Sequence, residues 1–245
     1  MEKEENKHLD VLDPTYPLFV EFKEKCPGTF KHSQAVMEMV KSVAQSLNLE
    51  SIDLQIAAMY HDIGKICNSE YFSENQREEN PHNELTPWIS FQIITRHVSD
   101  GVLLLINNED FSRKTIEIIS QHHGTMILKQ FLHKAGEDEN EEKWRYKSIS
   151  PNSIESAILM ICDSVEATAQ SIFQSHKEFD PKEIIESKIN LLLDDGQLDN
   201  VVMRLGDLKK IKNALFKELE GSFPKRIDYD EDTEIVKKKK KADNK

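Results

Sequence analysis

Cysteine is scarce in this 245-residue sequence. Cys26, Cys67 and Cys162 are odd in number and show no CxxC spacing, which excludes a disulfide framework or a structural zinc knuckle and points to a reducing, cytoplasmic setting. Long apolar runs are missing too. Hydrophobic residues make up 38% of the chain and charged ones 31%, and no stretch approaches the roughly 20 apolar residues of a membrane helix. The opening MEKEENKHLD is acidic and polar where a secretory signal would be basic and then apolar. Internal repeats and paired alternating stretches are also absent, apart from a possible short extended piece at Arg226 to Tyr229. The expected fold class is therefore all-α, in one domain over residues 17–224, after a polar segment at 1–16 and before a tail at 225–245.

Positive charge is short in the body and concentrated at one end. The formal charge is -12, from 32 basic and 44 acidic residues. Residues 237–245 hold six lysines and one aspartate, so the rest carries 26 basic against 43 acidic side chains, or -17. A body that acidic argues against a DNA or RNA platform, because backbone neutralisation by Lys and Arg supplies most non-specific nucleic-acid affinity. The lysine run reads as a solvated tail, with a weak anionic-surface contact as the alternative.

Helical periodicity dominates what remains. Ala35, Val36, Met39, Val40, Val43, Ala44 and Leu47 recur at helical spacing from His32, with Asn48 as the stop. Residues 53–63 are apolar nearly all round, which predicts a central helix closed by a left-handed Gly64. Thr86-Pro87 is a cap followed by proline at the first helical position, opening a third helix through Val98. Further helices are predicted near 112–123, 126–135, 151–175, 181–194 and 206–220, with a long polar loop at 66–85 and an exposed acidic connection at 136–147. Trp88 is expected in the core, Trp144 at the surface, and His133 packed near the site without binding metal.

The chemistry is carried by His32, His61, His97, the pair His122-His123, and two aspartates. Asp62 and Asp163 sit in apolar surroundings, and a buried carboxylate without a partner costs several kcal/mol. Any one of these histidines alone reads as a core residue. Together with the aspartates they make a shared metal site the economical explanation, and Asp can bridge two ions where His cannot. Such a set suits Fe, Mn or Zn better than Mg or Ca.

The string His32, His61-Asp62-Ile63-Gly64-Lys65, His97, His122-His123, Asp163 resembles the HD superfamily of metal-dependent phosphohydrolases. The segments PGTFKHS, YHDIGK, ENQ with ENPH, IITRHVSDGV, IISQHHGT, FLHKA, CDSVEA and DDGQLDN are similar to the catalytic domain of the seven-transmembrane HD family, the PgpH-type cyclic di-AMP phosphodiesterases. The resemblance covers about residues 17–230.

It implies an HD-domain helical bundle with a two-metal site in its core. One ion would be held by His32, His61, Asp62 and Asp163, the other by Asp62, His97, His122 and His123, the ions being iron or manganese. The implied reaction opens cyclic di-AMP to pApA through a water activated by both metals, with Asp62 and Lys65 as catalytic residues and Lys65 near the substrate phosphate. Gly124-Thr125-Met126 follows the histidine pair where the branch acting on cyclic di-GMP has a longer signature ending in Gly-Tyr-Pro, so adenine is preferred. Candidate substrate contacts are Tyr71 or Phe72 for stacking, with Asn75, Gln76, Asn80, His82, Gly124 and Thr125. The family usually joins this domain to membrane helices, so the chain either stands alone or is the cytoplasmic part of a larger protein. It also departs from the family at Ala167 to Gln170, where a basic residue is usual. Two alternatives stay open: hydrolysis of another nucleotide (cyclic di-GMP, pApA or a nucleoside phosphate), and a non-catalytic nucleotide-binding HD module.

Overall fold

A computed structural model describes residues 10–76, 79–136 and 140–223. Regular structure among them is helical, and the β interaction recorded is an isolated antiparallel bridge between Ile127 and Arg145. The α-helices are α1 (Pro17–Lys25), α2 (Pro27–Leu47), α3 (Ile52–Tyr60), α4 (Pro87–Leu105), α5 (Arg113–Ser120), α6 (Lys129–Ala135), α7 (Ile154–Gln174), α8 (Pro181–Asp194) and α9 (Leu205–Ser222).

Local rules set most of their ends. Proline occupies the first turn of α1, α2, α4 and α8, where its missing N–H costs nothing. The Thr86 hydroxyl accepts from Ile89 N, Ser112 from Thr115 N, and the Asp180 carboxylate from Lys182 N and Glu183 N. Asn48 ends α2 in the left-handed conformation, φ 54°.

The core is built around α3, in which Leu54 and every residue from Ile56 to Tyr60 are buried. It is flanked by the apolar face of α2 and by Ala157 to Cys162 of α7. A second, small cluster of Phe91, Phe131, Leu132 and Trp144 lies apart from it.

Several sequence expectations need correction. Gly64 does not close α3 with a left-handed turn. The helix stops at Tyr60, Ile63–Cys67 form a 3-10 turn, and Gly64 is absent from the positive-φ residues. It is needed because a Cβ there would run into the His97 carbonyl and the Gly101 amide, so only glycine lets this turn lie directly on α4. The histidine pair lies in the turn after α5, not at its end, and the next helix starts at Lys129 rather than 126.

The two tryptophans exchange places. Trp144 is 3% exposed and Trp88 42%. Trp144, in the segment that reads as an exposed connection, instead joins the small cluster, where Phe91 and Trp88 offer it edge-on aromatic contacts. His133 is exposed on α6. The 66–85 segment is a string of 3-10 turns, Ser69–Tyr71, Ser73–Asn75 and Pro81–Glu84. Arg226 to Tyr229, the tail at 225–245 and residues 1–9 of the N-terminal segment lie outside the described residues. Among the described residues no helix is long and apolar enough to cross a membrane.

Candidate metal centre

Asp62 follows the end of α3, where all-round burial of the helix forces its last side chains into the interior. Its carboxylate is 2% exposed and is two-sided. Oδ1 lies 3.2 Å from His97 Nε2 and 3.8 Å from His122 Nε2. Oδ2 lies 3.3 Å from His61 Nε2, 4.0 Å from His32 Nε2 and 2.8 Å from Lys65 Nζ. Asp163, on the inward face of α7, approaches from the opposite side, with Oδ1 3.0 Å from His32 Nε2 and Oδ2 3.7 Å from His123 Nδ1.

The ring orientations are imposed by the backbone. His61, His97 and His122 each donate Nδ1–H to the carbonyl three residues earlier, Ala58 (2.8 Å), Ile94 (2.6 Å) and Ile119 (2.6 Å). That bond fixes the tautomer, leaving Nε2 facing Asp62. His32, on the first turns of α2, instead pairs through Nδ1 with Glu166 of α7. His123 lies against the Tyr146 ring, centroids 4.4 Å apart.

Two layers hold these elements. The turn bearing His122-His123 is clamped by Gln197, whose Oε1 accepts from Thr125 N (3.0 Å) while its Nε2 donates to Thr125 Oγ1 (3.0 Å) and Asp195 Oδ2 (2.9 Å). Arg145 Nη1 donates to the Thr125 carbonyl at 3.0 Å, and Gly124, at φ 49°, packs where a Cβ would strike Gln197 Oε1. On the other side Asn75 Oδ1 accepts from the Gly28 and Thr29 amides at 2.9 and 3.2 Å, satisfying first-turn N–H groups of α2 that have no partner within the helix.

Burial and charge act together on the ionisable groups. Burial opposes ionisation of Asp62, but Lys65 and His61 outweigh it and hold the carboxyl well below its usual range. Burial likewise opposes the charge on Asp163, and the neighbouring His32 and His61 imidazoles bring it well below as well. Burial would lower His32 and His61, yet the carboxylates around them push them up to about 9 and about 10. His122 is held well below its ordinary value by burial and then by the neighbouring imidazoles, and burial brings His123 down to about 3. Lys65 is raised by Asp62 and Glu74 against the effect of its burial.

Anions and imidazoles crowded in this way fit a cation. Ligand atoms of Asp62, His97, His122 and His123 lie within 4.8 Å of one another, and so do those of His32, His61 and Asp62. Buried His61 Nε2, Asp62 Oδ1 and His123 Nδ1 lack hydrogen-bond partners, as expected of atoms whose partner is an ion.

All seven sequence-predicted ligand residues thus converge. Of the other candidates, Lys65 joins them through Asp62, also reaching Glu74 at 2.8 Å. Asn75 and Thr125 spend their polar atoms inside the fold. His82 donates Nε2–H to the Tyr71 carbonyl at 2.9 Å, and Gln76 donates to Asn80 at 3.4 Å. Phe72 is a buried loop anchor set edge-on to His97. Sequence reasoning missed Glu166, Glu74, Tyr146 and Gln197. The readable signal was spacing for Glu166, one helical turn after Asp163.

A family model described as HD domain matches residues 29–168. The cyclic-di-AMP phosphodiesterase PgpH of Bacillus subtilis (strain 168) is 35% identical over 233 residues, covering 94% of this chain and 32% of that protein. The protein of the same name from Listeria monocytogenes serotype 1/2a (strain 10403S) is 36% identical over 228 residues, 91% of this chain and 32% of its own length. The chain spans about a third of the length of these curated relatives. The crystal structure of the L. monocytogenes PgpH HD domain in complex with cyclic-di-AMP superposes with a TM-score of 0.78 at 35% identity, covering 87% of this chain and all of that one.

Proposed function

The chain belongs to the HD-domain family, and from that premise we propose that it is a metal-dependent phosphodiesterase opening cyclic di-AMP to pApA. The observation that carries this reading is the two-sided Asp62 carboxylate, one oxygen turned to His97 and His122 and the other to His61 and His32. On this reading one ion is held by His32, His61, Asp62 and Asp163, and the other by Asp62, His97, His122 and His123. Iron or manganese suits a donor set rich in imidazole and bridged by carboxylate. When bound, the pair supplies Lewis acidity toward the phosphoryl oxygens and a water acidic enough to attack phosphorus near neutral pH.

The chain's own residues do the rest. Asp62 and Asp163 stay ionised, and His122 and His123 stay neutral and free to ligate. Lys65, kept protonated by two carboxylates, places a positive charge beside the centre for the phosphodiester anion. That charge counters a protein of net charge -12. Asn75, Gly124 and Thr125 shape the site through bonds already made within the fold, and Tyr71, Gln76 and His82, all partly exposed, are the residues on which an adenine would rest. Binding of cyclic-di-AMP by the related L. monocytogenes domain supports the choice of base. The three free thiols fit work in the cytoplasm.

The test is metal analysis combined with hydrolysis of cyclic di-AMP, cyclic di-GMP, pApA and nucleoside phosphates by wild type and His123→Ala. Wild type loaded with manganese or iron is expected to carry two ions and release pApA, and the variant to lose both an ion and turnover. Faster turnover of another nucleotide would reassign the substrate. Absence of metal and of any turnover would leave a binding module.

A further inference from the structure

Among the imidazoles around Asp62, His32 is held differently. His61, His97 and His122 rest on neutral backbone carbonyls within their own helical turn. His32 rests on the carboxylate of Glu166, 134 residues away and on another helix. Glu166 is 4% exposed and lies one helical turn beyond Asp163, so both acids of α7 reach the same ring, one at each nitrogen.

A carboxylate buried so deeply is costly, and an apolar residue in its place is often as stabilising. Its place against the outer nitrogen of His32 points to a role other than packing. A carboxylate behind a ligating imidazole does two things that a carbonyl does less well: it fixes the ring and the Nδ1–H tautomer, and it makes the opposite nitrogen a stronger donor.

We infer that Glu166 is a positioning residue for His32, and that its negative charge tightens the grip on whichever ion His32 ligates while leaving the other ion untouched. This rests on the two-ion reading of the centre. The site is then electrostatically lopsided, with the Glu166 carboxylate behind His32 and only backbone carbonyls behind His97 and His122.

The experiment is chelator competition on manganese-loaded protein, reading ions retained per chain, for wild type, Glu166→Gln, His32→Ala and the double variant. Glu166→Gln keeps an oxygen acceptor but removes the charge. It is expected to release one ion at about 10- to 100-fold lower chelator concentration, to retain the other as wild type does, and to add nothing in the His32→Ala background. Wild-type retention of both ions by Glu166→Gln, equal weakening of both, or an additive effect in the double variant overturns the inference. A wild type that binds no ion at all refutes the two-ion reading instead.

Should Glu166→Gln fail to fold, zinc-loaded wild type labelled with 15N-histidine decides. A carboxylate acceptor is expected to shift the His32 Nδ1 proton downfield of those of His61, His97 and His122. An Nδ1 of His32 without a proton overturns the inference.

Discussion

Lys65 Nζ lies 2.8 Å from Asp62 Oδ2, three residues further along the same turn, while Oδ1 of that carboxylate faces His97 Nε2 at 3.2 Å. One acid therefore serves two imidazole sets and an ammonium group, and its loss touches all of them.

Asp62→Asn keeps the shape of the side chain and removes its charge. Ions are expected to be lost from both positions, and kcat for cyclic di-AMP to fall about a thousandfold or more, in line with the several kcal/mol such ions contribute. Steady-state kinetics with parallel metal analysis checks this. Two retained ions with kcat within tenfold of wild type would contradict it.

Stripped of metal, the protein is expected to grow less stable as pH rises. His32 and His61 titrate at about 9 and about 10 in the fold, above their ordinary 6.5. A raised folded value means protons are bound more tightly in the native state, so the stabilisation is complete below about pH 6.5 and fades as pH climbs through 9 and 10. Melting curves in excess chelator should move down between pH 6.5 and 9.5. Manganese should flatten the dependence, since an ion replaces the protons. A chelated protein whose melting temperature is level or rising over that range would sink the prediction.

Gly64→Ala forces a methyl group into backbone of α4, which cannot yield as a flexible side chain would. A cost of about 3 kcal/mol is expected, at the upper end of overpacking. Urea unfolding gives the number. A loss below about 1 kcal/mol would mean that the turn and α4 are further apart than described.

Gln197→Ala removes the hydrogen bonds that fasten Thr125, Ser150 and Asp195 beneath the histidine pair. About 1–3 kcal/mol of stability should go, because Gln197 is buried and leaves partners unsatisfied. The more telling readout is metal: the ion assigned to His122 and His123 should loosen while the one at His32 holds. Unchanged occupancy would show that the turn keeps its shape unaided.

What could be read from the sequence followed the range of the interaction concerned. The end of α2 at Asn48 and the start of α4 at Thr86-Pro87 are legible because caps act within a few residues. Asp62 and Asp163 are legible because a carboxylate in apolar surroundings demands a partner wherever that partner lies. Gly64 has the pattern of a local stop, but its reason is the His97 carbonyl 33 positions away, which no local rule shows. Trp144 sits in a polar stretch and is buried only because Phe91 and Phe131 arrive from other helices. Asn75 has the chemistry of a ligand contact, and the structure gives its amide to the amino end of α2. Glu166 escaped notice because its partner, His32, is 134 residues upstream.

That long reach has a further consequence. A cation gripped by both His32 and Asp163 would close a loop spanning 131 positions, a cross-link that restricts the unfolded chain far more than the finished one. Occupancy then reports on assembly: a polypeptide interrupted ahead of α7 could still coil its earlier helices, yet it would lack the far jaw of the clamp. Retained metal becomes an assay for whether the two halves have met.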